Sequence, residues 1–410
     1  MYSKNLFKQN KVAFVVASLF GMGLITSCDS DDSGSDSDPQ VQIEPPIVLD
    51  CNYFIQNPNT VLEDNPNAPV DYIVTCKMAI NDDVTIEPGV TIAFETDAGF
   101  RLYESGSLKA VGSENKQITL TGVDKSAGSW SGVFINSNDV KNEFAYVNVE
   151  YAGGSAFNSN GDKGGVIVYS GAQFKMSNSK ITHSATYGLN ANYKSTVLTL
   201  NNNTYTQNNS PMRVHASLVG MVSGTDTYTG NTEDKVELDP YTSEITAPAT
   251  IHKIGVPYKL VSSSSPILNI KSNVTIEPGV IIEMGSGTGI KVNDGASLKI
   301  EGTSSERIVI RGELAVAGSW GRIEYRHTQN PNNIIRYADI KHAGANPSSS
   351  KGAVYLWASP RLSIDNTNFS DILSCAINGY IGGGGINYQS NLTVGANVTY
   401  TNCGGEICGD

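Results

Sequence analysis

One seven-residue string occurs twice in this chain. Val84-Thr85-Ile86-Glu87-Pro88-Gly89-Val90 returns, 190 residues on, as Val274-Thr275-Ile276-Glu277-Pro278-Gly279-Val280. The same offset relates Ser107-Leu108-Lys109 to Ser297-Leu298-Lys299, Gly112 to Gly302, and Gly128-Ser129-Trp130 to Gly318-Ser319-Trp320. Later matches drift by a few residues: Ala152-Gly153 meets Ala343-Gly344, and Ser177-Asn178-Ser179 meets Asp365-Asn366-Thr367. A fixed register with drift at loops is what insertions on a repetitive scaffold produce, so the body reads as two tandem copies of one ~190-residue unit.

A shorter period lies inside the first copy. Phe174, Leu198 and Val222 stand 24 residues apart, Asn178, Asn202 and Asp226 follow the same step, and so do Ile181 and Tyr205. Short alternating runs such as Val197-Leu198-Thr199-Leu200 read as strands of a few residues, with Gly, Asn and Ser marking the turns. No helical stripe of ten or more residues occurs after residue 50. Coils of this length with several short strands predict a parallel β-helix, in which residues one period apart sit above one another. Apolar stacks fill the interior, and Asn stacks bond along the axis. The paired VTIEPGV openings, the SLKAVG and SLKIEG segments and the GSW pairs together resemble the right-handed parallel β-helix, or pectin-lyase-like, proteins of bacterial surfaces. The resemblance covers roughly residues 70–402. The fold expected is all-β: a right-handed parallel β-helix solenoid of two copies.

The N-terminus reads as an address. Lys4, Lys8 and Lys11 precede an apolar run from Val12 to Ile25, short for a membrane span and typical of a signal-peptide core. It ends in Ile25-Thr26-Ser27-Cys28, which resembles the lipobox of bacterial lipoproteins and implies cleavage before Cys28 and lipidation of its thiol. The run Asp29–Asp38 cannot bury a core and reads as a solvated tether. It also resembles the acidic signals that send some lipoproteins of Gram-negative bacteria to the outer face of the outer membrane. The expected organisation is a signal peptide over 1–27, a tether over 28–50, an N-terminal cap over 51–82, copy one over 83–240, and copy two with a C-terminal cap over 241–410.

The formal net charge of −12 says little about partners, because seven of the acids fall in 29–50, where no base stands. Charged residues are only 17% of the chain, against a usual quarter, which excludes a coiled coil and a basic nucleic-acid binder. Besides Cys28, five cysteines remain in an oxidising compartment. The expected pairs are Cys51–Cys76 and Cys403–Cys408, each clipping one end of the solenoid. Cys375 aligns with the apolar position of Tyr187 and is expected as a buried free thiol, with a Cys375–Cys403 bridge as the competing arrangement.

For chemistry, a polygalacturonase-like hydrolase needs clustered carboxylates, and its motifs are missing: Asn366-Thr367-Asn368 matches only the first of them, with Asn where the catalytic Asp belongs. No CxxC occurs and the five His are scattered, so no metal site, no cofactor and no catalytic residue is expected. One basic asymmetry stands out. Arg322, Arg326 and His327 form a group, and Arg336, Lys341 and His342 fall about one coil later, whereas copy one has Gly132 and Asn136 at the first two positions. These six are the candidate ligand-binding residues. Glu95 and Glu283, equivalent by near alignment, are read as scaffold acids, as are Glu87 and Glu277. Trp130 and Trp320 are read as packing pins. Two functions stay open: a non-catalytic binding or scaffold module for a glycan, a surface protein or an outer-membrane complex, held to the membrane through Cys28; or a polysaccharide lyase acting on uronate-containing glycans.

Overall fold

A computed structural model of the chain describes residues 43–345, 352–380 and 391–409. The expected signal peptide, the lipidation site Cys28 and the tether up to residue 42 lie outside the described residues. The body is all-β, and its strands pair in parallel ladders that run along one axis.

The alternation in each short strand decides the architecture. In Val197–Asn201, Leu198 and Leu200 point inward while Val197, Thr199 and Asn201 face solvent. Phe174 and Leu198 are register partners, as are Ile181 and Tyr205, so the 24-residue period does mark one rung to the next. In the first half, three ladders enclose the core. One runs from Ile47–Leu49 through Tyr72–Val74 to Thr204–Thr206, a second from Thr60–Leu62 to Val197–Asn201, and a third from Lys77–Ile80 through Gly132–Ile135 to Ser210–His215. The ladders therefore begin inside the spans expected to be tether and cap. Leu49 is already fully buried, and that end is closed by the helix Tyr53–Gln56, whose Phe54 meets Phe100 edge-on at 5.7 Å.

Corners between ladders put single residues in the left-handed region: Tyr146 (φ 54°), Asn178 (φ 48°) and Asn202 (φ 55°) between the second and first ladders, and Tyr337 (φ 48°) and Asn366 (φ 47°) at corners of the second half that lead into the third ladder. Asn accepts this conformation because its short polar side chain bonds locally. The axial ladder expected on Asn178, Asn202 and Asp226 keeps Asp226 but shifts its first two members one residue on, to Ser179 and Asn203. Asn203 Oδ1 accepts from the Ser179 N–H (3.2 Å), and Asp226 Oδ1 accepts from the Asn203 N–H (2.9 Å). A second ladder runs through Ser184, Asn208 and Asn231.

The join between the halves turns the molecule. Val236–Asp239 pairs with Ser210–His215 on one side and with Tyr258–Leu260 on the other. Tyr258 is the sequence counterpart of Tyr72, yet Tyr72–Val74 belongs to the first ladder and Tyr258–Leu260 continues the third. Equivalent strands of the two halves thus lie on different faces, one face apart. The 3-10 helix Ala216–Met221, with Ala216, Leu218 and Val219 buried, occupies the break. The third ladder then continues through Ile281–Met284 and Ile308–Gly312 to Ala338–Lys341. A new ladder carries Ile267–Ile270, Gly289–Val292, Ile323–Arg326 and Val354–Trp357. The strand Asn368–Tyr380 joins both, its start beside Ala338–Lys341 and its end beside Val354–Trp357.

The cysteines correct two expectations, the Cys403–Cys408 pair and the free thiol at Cys375, and meet one. Cys51–Cys76 is formed. At the other end Cys375 pairs with Cys408, and among the described residues Cys403 is the free thiol. The expected Cys403–Cys408 pair fails because both residues lie on the one extended strand Thr399–Gly409, where five residues span roughly 16 Å, far beyond disulfide reach. Cys375 and Cys408 stand on paired strands with Cα atoms 6.1 Å apart. Alkylation of the unfolded, unreduced chain should therefore label Cys403 and spare Cys51, Cys76, Cys375 and Cys408. A label on Cys375 in peptide mass spectra would contradict this pairing.

Candidate functional site

Arg322, just before the strand Ile323–Arg326, alternates with Glu324 and Arg326 on it, so a period of two sends all three to the outer face. Rung stacking fixes their neighbours. Glu324 has Lys291 as its partner on one side and Tyr355 on the other, and beyond Arg326 the next rungs place Trp357 and then Tyr380. Glu324 is only 5% exposed and both of its oxygens are engaged. Arg322 donates to Oε2 from Nη2 (2.7 Å) and Nε (3.1 Å), and Arg326 donates from Nε to Oε1 (2.8 Å). Each guanidinium also lies over a ring: Arg322 over Tyr355 at 5.0 Å and Arg326 over Trp357 at 5.2 Å. Trp357 and Tyr380 are parallel with ring centres 4.4 Å apart, and Tyr380 is 38% exposed.

Charge here does not cancel. One carboxylate faces two arginines, and Lys291 adjoins it, leaving an excess of positive charge. An open groove of about 510 Å³ lies over these groups, lined by Asn269, Lys291, Arg322, Glu324 and Arg326. A carboxylate that accepts from two arginines holds their guanidinium groups in place. Arginine held over an aromatic ring is preorganised for carboxylate recognition, because its fork loses little freedom on binding. Among the described residues no three His, Cys, Asp or Glu side chains converge as a metal-holding group.

The structure splits the six expected ligand-binding residues. Arg322 and Arg326 act together. His327 stands exposed at the end of their strand, in the left-handed region (φ 56°), with its N–H donated to the Trp357 carbonyl. Arg336 lies on another ladder and pairs with Glu301 at 2.5 Å. Lys341 and His342 lie on the third ladder and its corner, where the Lys341 carbonyl accepts the Trp320 indole N–H at 2.8 Å. One coil in sequence became three faces in space, so the second trio does not join the first. Sequence reasoning missed Glu324, Trp357 and Tyr380. The alternation Arg322-x-Glu324-x-Arg326 was a signal for the first; the other two needed the rung register.

The acid pair Glu95 and Glu283 is also corrected. By strand, Glu283 in Ile281–Met284 corresponds to Ala93 in Thr91–Phe94, and Glu95 lies beyond the strand, exposed. Glu283 is buried between Lys235 (2.6 Å) and Arg311 (2.7 Å). Burial pushes its carboxyl up, but the two cations outweigh burial and hold it below the ordinary glutamate range.

No family model matches the chain, and neither a curated protein nor a solved structure matches it.

Proposed function

We propose that this chain is a lipid-anchored cell-surface protein whose body binds an acidic glycan without breaking it down. In this reading the body is a right-handed parallel β-helix of the pectin-lyase-like kind, built from two tandem copies and held through Cys28 to the outer membrane, facing outward. Right-handed crossovers are the rule for parallel strands. The identical roles of Trp130 and Trp320, both fully buried and both donating an indole N–H to a carbonyl of the following coil, support descent from one unit.

The observation that carries the binding function is the Glu324 clamp. Its two arginines face an open groove beside a stacked Trp357–Tyr380 pair, and that combination suits a sugar bearing a carboxylate: rings for the apolar face, cations for the acid. The lyase reading rests on the same basic groups and requires one of them to act as a base; Glu324 holds both arginines by their donors, which leaves His327, exposed at the end of their strand, as its candidate base. Calorimetry with hexagalacturonate tests the proposal. Binding should weaken in Arg326→Ala roughly ten-fold, the worth of one charge-assisted hydrogen bond, and should fall with added salt. The oligomer should be recovered intact. Accumulation of an unsaturated, ultraviolet-absorbing product would sink the binding-only reading and favour the lyase.

A further inference from the structure

The outward row that ends in Trp357 and Tyr380 has a counterpart in the first half, on another face. Tyr169 follows Val168 as Trp357 follows Leu356, and each opens the same short coil segment. Along the axis, Tyr103, Asn136 and Tyr169 follow the register partners Leu102, Ile135 and Val168. Backbone hydrogen bonds continue through this row: the Asn136 N–H donates to Leu102 O (3.3 Å) and the Tyr169 N–H to Ile135 O (2.9 Å). The two tyrosines therefore stand two rungs apart, roughly 10 Å, with an amide between them. That spacing is close to the length of a disaccharide unit in an extended β-linked glycan.

Neighbours hold both rings. The Arg101 guanidinium sits over Tyr103 at 5.0 Å. Tyr169 packs against Phe134 at 5.3 Å and Tyr193 at 4.5 Å, and Tyr193 is itself pinned by donating its hydroxyl to Asp162 (2.5 Å). Tyr103 is 37% exposed and Tyr169 half-buried. Beside them opens a hollow of about 370 Å³ lined by Glu104, Asn136, Ser137, Asn138 and Ser170. Apart from Glu104, the polar side chains of this lining are amides and hydroxyls, with Asn136 at the position that Arg326 takes in the second half; Arg101, the counterpart of Lys291, is turned onto the Tyr103 ring.

We infer that Tyr103, Asn136 and Tyr169 form a second glycan site, specific for a neutral β-linked chain running along the solenoid axis. The rings stack on alternate sugars, whose axial C–H faces are apolar, and Asn136 bonds the hydroxyls of the sugar between. The inference extends the glycan-binding reading to a second ligand class, and it stands or falls separately from the acidic site.

The test is calorimetry of the full chain with cellohexaose and with xylohexaose. At least one of them should bind. Tyr103→Ala and Tyr169→Ala should each weaken that binding roughly ten-fold, the worth of one lost aromatic stacking contact near the upper end of its range. Tyr169→Phe should keep it, and Arg326→Ala should leave it unchanged while weakening hexagalacturonate. Should Tyr169→Ala fail to fold, Tyr103→Ala, at the more exposed ring, decides the matter. Binding of neither hexasaccharide, or equal binding by a folded Tyr103→Ala variant, overturns the inference. Neutral binding that survives failure of the hexagalacturonate experiment supports it.

Discussion

Trp130→Ala should lower the unfolding free energy by about 4 kcal/mol, the scale of a large-to-small change at a fully buried aromatic. The side chain is wholly enclosed and stacks on Phe94 with ring centres 4.0 Å apart and planes within 6°, while Phe94 meets Phe100 edge-on at 4.9 Å. Its indole N–H donates to the Glu150 carbonyl at 2.7 Å, so truncation also leaves that acceptor without its donor. Trp130→Phe should recover much of the packing and none of the hydrogen bond. Trp320→Ala removes the same hydrogen bond, to Lys341, but the residue at the Phe94 position there is Met284. Its cost should be smaller by about 1 kcal/mol, the excess of a stacked aromatic pair over plain burial. Because a solenoid is held rung to rung, each loss should open the coils around the altered residue first. Urea denaturation gives the totals, and amide exchange shows where protection goes. Equal costs at the two tryptophans would mean that the Phe94 stack adds nothing.

The interior was readable in the sequence because it depends on one local rule. Phe174, Leu198 and Val222 share a period and are all buried, since an inward side chain on one rung must meet an inward side chain on the next. The amide ladders were readable only as a type. Asn202 and Asn203 are adjacent, and nothing in the letters tells which takes the left-handed corner and which turns inward to bond Asp226. The one-face turn between the halves was not readable at all. An offset of 190 residues gives no angle about the axis, and the angle is decided by one irregular coil, around Ala216–Met221, that has no counterpart to compare. The candidate site suffered from the same gap. Arg322 and Arg326 are close along one strand and stayed together; Arg336, Lys341 and His342 were assigned by counting along the chain, and the corners sent them to other faces. The Cys375–Cys408 bridge likewise depends on which strands are neighbours, which the spacing of cysteines does not state.

The turn between the halves has its own electrostatic signature, and Glu283 is the residue to test. On the ladder that runs through the join, the outward row reads Arg213, Glu237, Lys259, Glu283, Arg311, each the register partner of the next. Signs alternate over these five rungs, before Lys341 follows Arg311 with the same sign, so sliding one half by a rung at the join would set like charge over like. Lys235 and Arg311 both close on Glu283, and Lys259 pairs sideways with Glu313 at 2.8 Å. The equivalent position in the first half is Ala93, which adjoins the apolar Ile73 on a face with no such row. Glu283→Lys should therefore cost about 3 kcal/mol, the lower end for breaking a buried pair, because Lys235 and Arg311 remain partly hydrated. Glu283→Gln should cost less, and its cost should depend on pH. A carboxyl held below its unfolded value contributes stability that is complete above the unfolded glutamate range, near about 4.3, and that is lost as pH falls through the lower folded value. The difference between wild type and Glu283→Gln should accordingly be full at neutral pH and shrink on acidification below that range. Urea midpoints measured across pH decide it. A difference that stays flat into acid would show that Glu283 holds the join by shape and hydrogen bonding, and that the alternating charges do not specify its register.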